Sequence, residues 1–348
     1  METLWFIIIA LMLTTYVVLD GFDLGAGVIY LLIARTPAER RMVIRSIGPV
    51  WDGNEVWLLA SGGTLYFAFP QLYASAFSGF YLPLMMVLWL LILRGIGIEL
   101  RAHIDDHVWQ SFFDFIFCGS SALLTIFFGA ALGNVLRGVP LGPDGYFFEP
   151  LWTNFRVSGY PGILDWYTIL VGVLALAVLV MHGALWVRMK TSGPVSDRAA
   201  ALARQVWWAV LALAAVVTAV TFQVQPQIRE NLTTWPLGLI LPLLAVAGLA
   251  GVQFELIKHD EPKAFFASCL YITGMLTSVV FGLFPMVLPA RNPVYSLTVN
   301  SAKAADYGLK VGLIWWIVGM ILATTYFTYV YRSFAGKVVV EKDPHGHS

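Results

Sequence analysis

The chain has 348 residues, of which 59% are hydrophobic and only 12% are charged. Its mean hydropathy is +0.76. Soluble proteins carry about 25% charged residues, so this composition excludes a soluble fold and predicts an all-α polytopic membrane protein. The formal net charge of +0 argues against nucleic acid as a partner.

Nine apolar stretches reach the length of about 20 residues that a helix needs to cross a bilayer. Their bounds are 4–33, 52–70, 76–98, 112–133, 162–187, 206–224, 236–256, 265–288 and 309–332. The second and third are separated only by Phe69-Pro70-Gln71, where we expect a tight turn. We predict about nine transmembrane helices in a single domain, residues 1–335, followed by a short cytoplasmic tail, residues 336–348.

The distribution of Lys and Arg predicts the orientation of these helices. If the N-terminus lies outside, 15 of the 21 basic residues fall in segments on the inner side. Loops that stay in the cytoplasm are enriched in Lys and Arg, so we predict an outside N-terminus and a cytoplasmic C-terminus. The first stretch is too long for the apolar core of a signal peptide, and we expect it to be retained as a helix.

Two acids lie inside the first stretch. Asp20 and Asp23 are three residues apart, so both side chains project from one face of a helix. Gly21 and Gly25 form a Gly-x-x-x-Gly step that allows another helix to approach closely. Two acids on a buried face favour a proton-handling role, because neighbouring carboxyl groups in a low-dielectric medium can share a proton. The alternative is that each Asp is a strut bonded to a neighbouring helix.

A second acidic pair with the same spacing, Asp52 and Glu55, opens the second stretch. One interpretation is a capping box, in which Asp52 is the N-cap and Glu55 the third helical residue. Capping does not account for Asn54 between them, or for Trp51 and Trp57 on either side. Tryptophans are common at membrane interfaces, while acids at the mouth of a membrane helix need a partner or a function. Both interpretations stay open.

Other polar residues give weaker signals. Arg94 ends the third stretch, where it either snorkels to the interface or contacts the anionic edge of a cofactor in a partner. His182 is the only histidine well inside a stretch, which favours a hydrogen-bonded structural residue over a haem ligand. Cys118 and Cys269 lie in separate apolar runs and are interpreted as small buried residues. We predict no catalytic residue and no metal site.

Short blocks rich in polar, aromatic and glycine residues recur along the chain, namely Leu19–Gly25, Glu39–Arg41, Ser46–Pro49, Trp51–Leu58, Ala76–Tyr81, Asn134–Pro140, Asn292–Val294 and Leu297-Thr298. Together they resemble subunit II of cytochrome bd-type quinol oxidases. The Trp-Asp-Gly-Asn block is the most specific, and the resemblance covers essentially the whole chain. The cyanide-insensitive branch of that family is one candidate subgroup.

The resemblance implies a role in a larger complex. Subunit II pairs with a similarly folded subunit I, which holds two b-type haems and one haem d. Quinol is oxidised at the outer face, and dioxygen is reduced to water with protons from the cytoplasm. We therefore expect a chain in the bacterial cytoplasmic (inner) membrane, surrounded by lipid, that binds no cofactor directly. A small accessory subunit and a bound quinone or lipid are left open.

The resemblance also implies roles for single residues. Asp20, Trp51 and Asp52 match residues that line a proton route, and Trp57 matches a residue of an oxygen channel. Some members carry Gln where this chain has Glu55, so the family does not require an acid there. The predicted proton path consists of Asp20, Asp23, Trp51, Asp52 and Glu55.

Two other functions compete with a proton path. A purely structural scaffold for the haem-bearing subunit would use the acids as struts. An ion-coupled transporter would also have paired intramembrane acids and glycine-rich helices. The chain is not expected to be the haem-bearing subunit itself, because one intramembrane histidine does not supply the ligands of several haems.

Overall fold

The structure is a computed structural model that describes residues 1–338, so residues 339–348 of the predicted tail lie outside the described residues. Within residues 1–338 the chain forms twelve α-helices and a two-stranded sheet, which confirms the all-α class. The helices are α1 (Glu2–Ile33), α2 (Pro37–Ile47), α3 (Trp51–Ala68), α4 (Pro70–Gly79), α5 (Tyr81–Glu99), α6 (His107–Arg137), α7 (Trp166–Lys190), α8 (Pro194–Val224), α9 (Pro226–Thr234), α10 (Ile240–Lys258), α11 (Glu261–Leu283) and α12 (Asp306–Ser333).

Eight helices in the described part of the chain are long and apolar enough to cross a membrane. They are α1, α5, α6, α7, α8, α10, α11 and α12, and each corresponds to a predicted stretch. The remaining stretch, 52–70, forms α3, which has 18 residues and is about 27 Å long at 1.5 Å per residue. The first turns of α3 carry Asp52, Asn54 and Glu55, which make this helix more polar than the eight membrane-length helices. The predicted number of about nine transmembrane helices stays a prediction.

The connection between the second and third stretches differs from the prediction. Pro70 opens a separate helix, α4, directly after α3. Proline is favoured at the first position of a helix because its missing N–H would have no helical partner there. A further break follows at Phe80, before α5. The prediction of a tight turn leading straight into a stretch 76–98 is wrong, because an uncharged apolar run does not reveal a helix break.

Helix α11 ends at Leu283, earlier than the predicted stretch 265–288. Pro285 follows closely, and proline cannot donate the N–H that a continuing helix would need. Met286–Leu288 instead form strand β1, which pairs antiparallel with strand β2, Leu297–Thr298. The end of this stretch therefore belongs to the connection between α11 and α12.

Helix α1 lies at the centre of the bundle and packs against α3, α6, α7 and α11. Its closest approach is to α7, where Gly25 meets Leu179 and Gly183. A Cβ atom on Gly25 would lie 1.8 Å from the carbonyl oxygen of Leu179, so no larger residue fits. The predicted close approach at this glycine is confirmed, and the helix face with Asp20 and Asp23 is buried inside the protein.

The bundle has two ends that differ in charge. At one end the starts of α1 and α12 are joined by an ion pair of 3.5 Å between Glu2 and Lys303, and we call it the N-terminal end. At the other end α2 and α8 are joined by an ion pair of 2.6 Å between Arg198 and Glu39. We call this the basic end, because most of the Lys and Arg residues in the described part of the chain lie there.

Candidate functional site

The centre of the site is Arg94, on α5. It is fully buried and binds Asp20 of α1 through both terminal nitrogens, at 2.6 and 2.9 Å. Such bidentate, charge-assisted pairs are strong and fix the relative position of the two side chains. The snorkelling expected for Arg94 is therefore wrong, because its guanidinium turns into the bundle toward a carboxylate. Its contact with a cofactor edge stays a prediction.

Asp23 lies beside this pair without a cation of its own. Its Oδ2 accepts a hydrogen bond of 2.7 Å from the side-chain amide of Asn54, on α3. Its Oδ1 is buried and has no hydrogen-bond partner among the described residues. Asn54 in turn accepts a hydrogen bond of 2.9 Å from the Tyr331 hydroxyl, on α12. The predicted shared face of Asp20 and Asp23 is confirmed, but the two acids have different partners.

Two further residues of α3 complete this cluster. A carboxylate oxygen of Glu55 lies 4.0 Å from Arg94, and the Glu55 side chain is 24% exposed. The Trp51 ring lies 5.9 Å from the Arg94 guanidinium, within the range of a cation–π interaction. We call Asp20, Asp23, Glu55 and Arg94 the Arg94 cluster. It sets three carboxyl groups around one guanidinium, so the acids outnumber the cation.

The remaining predicted residues of α3 lie outside this cluster. Val50 is the N-cap of α3 and no side chain caps it, so the capping box of Asp52 and Glu55 is wrong. Asp52 is the second residue of the helix and is exposed. Trp57 is half-buried and its ring packs 5.6 Å from the Phe327 ring of α12. The structure thus brings Asp20, Asp23, Glu55 and Trp51 together, and leaves Asp52 and Trp57 at the margin.

A second cluster, which the sequence analysis missed, lies at the basic end. Asp114 of α6 is buried and accepts a hydrogen bond of 2.5 Å from the Tyr30 hydroxyl and one of 2.7 Å from Arg40. Arg101 also donates to it. Here two cations surround one carboxylate, which is fully satisfied. The position of Asp114 just inside the predicted stretch 112–133 was the sequence feature that could have revealed this cluster.

A third cluster, also missed, lies at the N-terminal end. Arg137 at the end of α6 binds both Asp165 and Glu149, and donates to Asn134 at 2.6 Å and to the Gly162 carbonyl at 3.0 Å. We call Arg137, Asp165, Glu149 and Asn134 the Arg137 cluster. It ties the loop of residues 138–165 to the ends of α6 and α7.

Two features of the Arg137 cluster define its electrostatics. Asp165 is the N-cap of α7 and accepts hydrogen bonds from the backbone N–H groups of Tyr167 and Thr168, at 2.8 and 2.9 Å. Glu149 is buried in the loop, and burial raises the pKa of its carboxyl to about 7, although Arg137 opposes that change. Arg137 therefore contacts two different acids. Asp165 is also bound by backbone N–H groups at the start of α7, and Glu149 has a pKa of about 7.

His182 lies on α7 and is buried. Its Nδ1 lies 2.7 Å from the Ser268 hydroxyl, and its Nε2 lies 2.9 Å from the Val18 carbonyl oxygen. Its ring stacks on Phe265, with ring centroids 4.9 Å apart. Both ring nitrogens are engaged, as expected for a structural histidine. Between residues 1 and 338, no three His, Cys, Asp or Glu side chains converge as a metal site would require.

Membrane-length helices that enclose ionic clusters are typical of polytopic membrane proteins in which the buried charges have a function. The model of one family, described as cytochrome bd terminal oxidase subunit II, matches residues 1–334. The chain belongs to that family.

Individual relatives agree with this assignment. The chain is 31% identical to the probable cytochrome oxidase subunit 2 of Haemophilus influenzae, over 98% of this chain and 97% of that protein. It is 32% identical to the cytochrome bd ubiquinol oxidase subunit 2 of Bacillus subtilis, over 89% of each chain. The solved bd oxidase from Geobacillus thermodenitrificans matches with a TM-score of 0.74 at 17% identity, over 96% of this chain and 98% of that one. At that identity the match shows the fold alone.

Family membership confirms the resemblance found in the sequence. The chain is a subunit of a terminal oxidase, which is an oxidoreductase. As subunit II it is one part of a complex, so a partner subunit is implied. With eight membrane-length helices in its described part, it is a multi-pass membrane protein.

Proposed function

We propose that this chain supports a haem-bearing subunit I in a quinol:oxygen oxidoreductase and carries protons toward the site where dioxygen is reduced. The observation that carries the proposal is the Arg94 cluster, in which three carboxyl groups surround one buried guanidinium. The name of the Bacillus subtilis relative, a ubiquinol oxidase subunit, supports quinol as the electron donor. The two b-type haems and haem d belong to subunit I in this proposal, and this chain ligates none of them.

The charge balance of the cluster supports proton transfer. Arg94 binds Asp20 at 2.6 and 2.9 Å, whereas Glu55 lies 4.0 Å from Arg94 and Asp23 has no ion-pair partner among the described residues. Reducing dioxygen to water consumes protons, and a low-dielectric interior holds few mobile protons unless ionisable groups provide a relay. A carboxyl group that lacks a cation can accept and release a proton without breaking the Asp20–Arg94 pair. Asp23 and Glu55 therefore take up protons first, and Asp20 follows them in the proposed path.

The orientation of the chain gives the path a direction. By the positive-inside rule the basic end faces the cytoplasm of a bacterial inner membrane. Asp52, exposed at the start of α3, then lies nearest the cytoplasm, and Glu55 and Trp51 lie between it and Arg94. We propose that protons enter at Asp52, pass Glu55 and Trp51, and reach Asp20 and Asp23.

The exposed face of α3 also supports a position for the partner. Asp52 is exposed and Glu55 is partly exposed on a helix that otherwise carries apolar surface residues such as Leu59. Charged side chains at membrane depth face protein or water rather than lipid. We propose that subunit I covers this face and receives the protons there, with Trp57 beside the oxygen route. A small accessory subunit and a bound lipid or quinone fit the proposal equally well elsewhere.

One observation favours a second function, that of a structural scaffold. Both carboxylate oxygens of Asp20 are bound by Arg94, so this pair alone would serve as a strut between α1 and α5. The two functions differ in what the acids of α3 do. A scaffold needs no exposed acid at Asp52, whereas a proton path does. No contact in the described part of the chain favours the transporter alternative.

The test is Asp52→Asn in the whole oxidase complex. Because Asp52 is exposed, this change leaves the packing intact, and we expect unchanged haem absorption spectra with oxygen uptake slowed about tenfold, as for loss of an acid–base group. Asp197→Asn is the matched control, since Asp197 is another exposed acid in the first turn of a helix at the basic end. Equal oxygen uptake by both variants and the unmodified complex, at every pH, would leave only the scaffold.

A further inference from the structure

A groove opens at the basic end between α12 on one side and α1, α7 and α11 on the other. Its volume is about 1180 Å³. Charged residues from four separate segments form its rim, namely Arg45, Lys190, Glu261 and Lys337. Charged side chains hold water at the membrane boundary, so the mouth of the groove is hydrated.

One wall of the groove carries hydroxyl side chains on both sides of Phe327. It is formed by α12, whose lining side chains there include Thr324, Thr328, Tyr331 and Ser333. The opposite walls are apolar and aromatic, with Phe22, Trp186 and Phe265 among them. A strip of hydroxyl groups along one helix gives water molecules partners inside a groove that would otherwise be dry.

This strip is connected to Asp23 near the mouth of the groove, close to the end of α12. Tyr331 lines the groove, and its hydroxyl donates a hydrogen bond of 2.9 Å to Oδ1 of Asn54. Asn54 donates a hydrogen bond of 2.7 Å to Asp23 and one of 3.3 Å to the backbone carbonyl of Leu19, a residue that also lines the groove. Only the Asn54 amide therefore separates a groove-lining hydroxyl from a buried carboxyl group.

Asp23 has the chemistry of an acceptor at the end of such a route. It is fully buried, and its Oδ1 has no hydrogen-bond partner among the described residues. Buried polar atoms are almost always satisfied, and an exception calls for an explanation such as a proton or a water molecule. Asp23 also lies three residues after Asp20, on the same face of α1.

We propose that this groove is a second proton inlet, which feeds Asp23 directly and joins the Asp52 route at the Arg94 cluster. In each passage a proton leaves a water molecule in the groove and converts the Asp23 carboxylate to the acid. It then departs toward Asp20 and the partner subunit, so no electron is moved. Tyr331 and Asn54 are positioning residues that keep their own protons. Rotation of the Asn54 amide admits water to Asp23.

The inference rests on the proposed function and is tested in the whole oxidase with four proteins: unmodified, Tyr331→Phe, Asp52→Asn, and both together. Tyr331→Phe keeps the ring but removes the hydroxyl. Because Asp52→Asn is expected to leave about a tenth of the rate, two parallel inlets predict that Tyr331→Phe alone lowers kcat by only about a tenth, and that it lowers kcat at least fivefold further in the Asp52→Asn background. The KM for quinol should stay unchanged, and the solvent isotope effect in deuterium oxide should increase. A purely structural role for Tyr331 would not move the isotope effect.

A second pair of variants tests the groove itself rather than the hydroxyl. Thr328→Trp fills the groove one turn from Tyr331, and Thr325→Trp places the same bulk on α12 outside it. In the Asp52→Asn background we expect the first to slow oxygen uptake at least fivefold and the second to leave it unchanged. Haem absorption spectra check assembly in every case.

The outcomes separate the inlet from the proposed function. If Asp52→Asn is slow and neither Tyr331→Phe nor Thr328→Trp slows it further, the inlet is overturned and the proton path through Asp52 stands. If all variants turn over at the unmodified rate, both are overturned. If Tyr331→Phe is slow while Asp52→Asn is not, the groove is the inlet and the route past Asp52 is removed from the proposal.

Discussion

The Arg94 cluster and the Arg137 cluster contain the same kinds of residue but differ in how many acids the guanidinium contacts. We call the Arg137 cluster closed, because its guanidinium contacts both acids, and the Arg94 cluster open. Each places one buried guanidinium among more than one carboxyl group. Arg137 contacts both of its acids, and one of them, Asp165, also caps α7. Arg94 contacts only Asp20 closely, while Glu55 lies 4.0 Å away and is partly exposed. The closed cluster links a loop to two helix ends, whereas in the open cluster only one of three acids is in close contact with the guanidinium.

The Asp114 cluster extends this comparison to the opposite charge ratio. Asp114 is bound by Arg40 and Arg101 and by the Tyr30 hydroxyl, so both of its carboxylate oxygens have hydrogen-bond donors. It joins α1, α2 and α6 at the basic end. A carboxylate held by two guanidinium groups and a hydroxyl is a structural link between helices. The feature that sets the Arg94 cluster apart is therefore that Glu55 and Asp23 are not in close contact with its guanidinium.

The largest effect is expected when the closed cluster loses its cation. Arg137→Gln leaves Asp165 and Glu149 buried without a counter-charge, and breaking a buried pair costs about 3–5 kcal/mol. We expect the loop of residues 138–165 to become sensitive to proteases and the melting temperature of the complex to fall. Arg156→Gln, an exposed arginine in the same loop, is the control. Equal protease resistance of the two variants would show that the cluster does not fasten the loop.

A smaller effect, and a different kind, is expected in the open cluster. Arg94→Gln or Asp20→Asn alone leaves one buried charge unpaired, which costs about 3 kcal/mol. The double variant removes both charges, so we expect haem content to recover toward the unmodified level while oxygen uptake stays slow. Haem spectra and oxygen uptake of the three variants measure this. Recovery of both properties in the double variant would make Asp20 a strut and contradict its place in the proton path.

The smallest effect is a dependence of stability on pH in the Arg137 cluster. The pKa of Glu149 is about 7 in the folded chain, against 4.5 ordinarily, so the folded state binds this proton more tightly. Stability is therefore greatest below pH 4.5 and falls as pH rises to 7, by about 2 kcal/mol between pH 5 and pH 8. Glu149→Gln keeps an acceptor for Arg137 and should flatten this part of the profile.

Melting temperatures of the two complexes between pH 5 and pH 8 test this prediction, with amide hydrogen exchange of residues 138–165 as a local measure. The same decline with pH in both proteins would assign the titration to another group. A flat profile in both would mean that Glu149 stays ionised beside Arg137 throughout the range. Either result would remove the electrostatic difference between the two acids of this cluster.

Local patterns in the sequence were sufficient for the helices and for part of the site. The apolar stretches predicted eight of the long helices because burial in lipid requires continuous runs of apolar residues. The three-residue spacing of Asp20 and Asp23 predicted a shared face, since helical periodicity depends only on neighbouring residues. The close approach of another helix at Gly25 was likewise predicted from a short motif, and the structure shows that this helix is α7. The family was identified from blocks such as Trp51–Leu58.

The pairings between helices could not be read in the same way. Arg94 is 74 positions from Asp20, and its place at the end of a stretch indicated only an interfacial arginine. Asp114, Arg137 and Glu149 looked like ordinary boundary and loop residues. A helical period specifies which way a side chain points, but the partner it meets depends on how the helices pack. For this reason the tertiary structure alone decided which acids contact a cation closely and which do not.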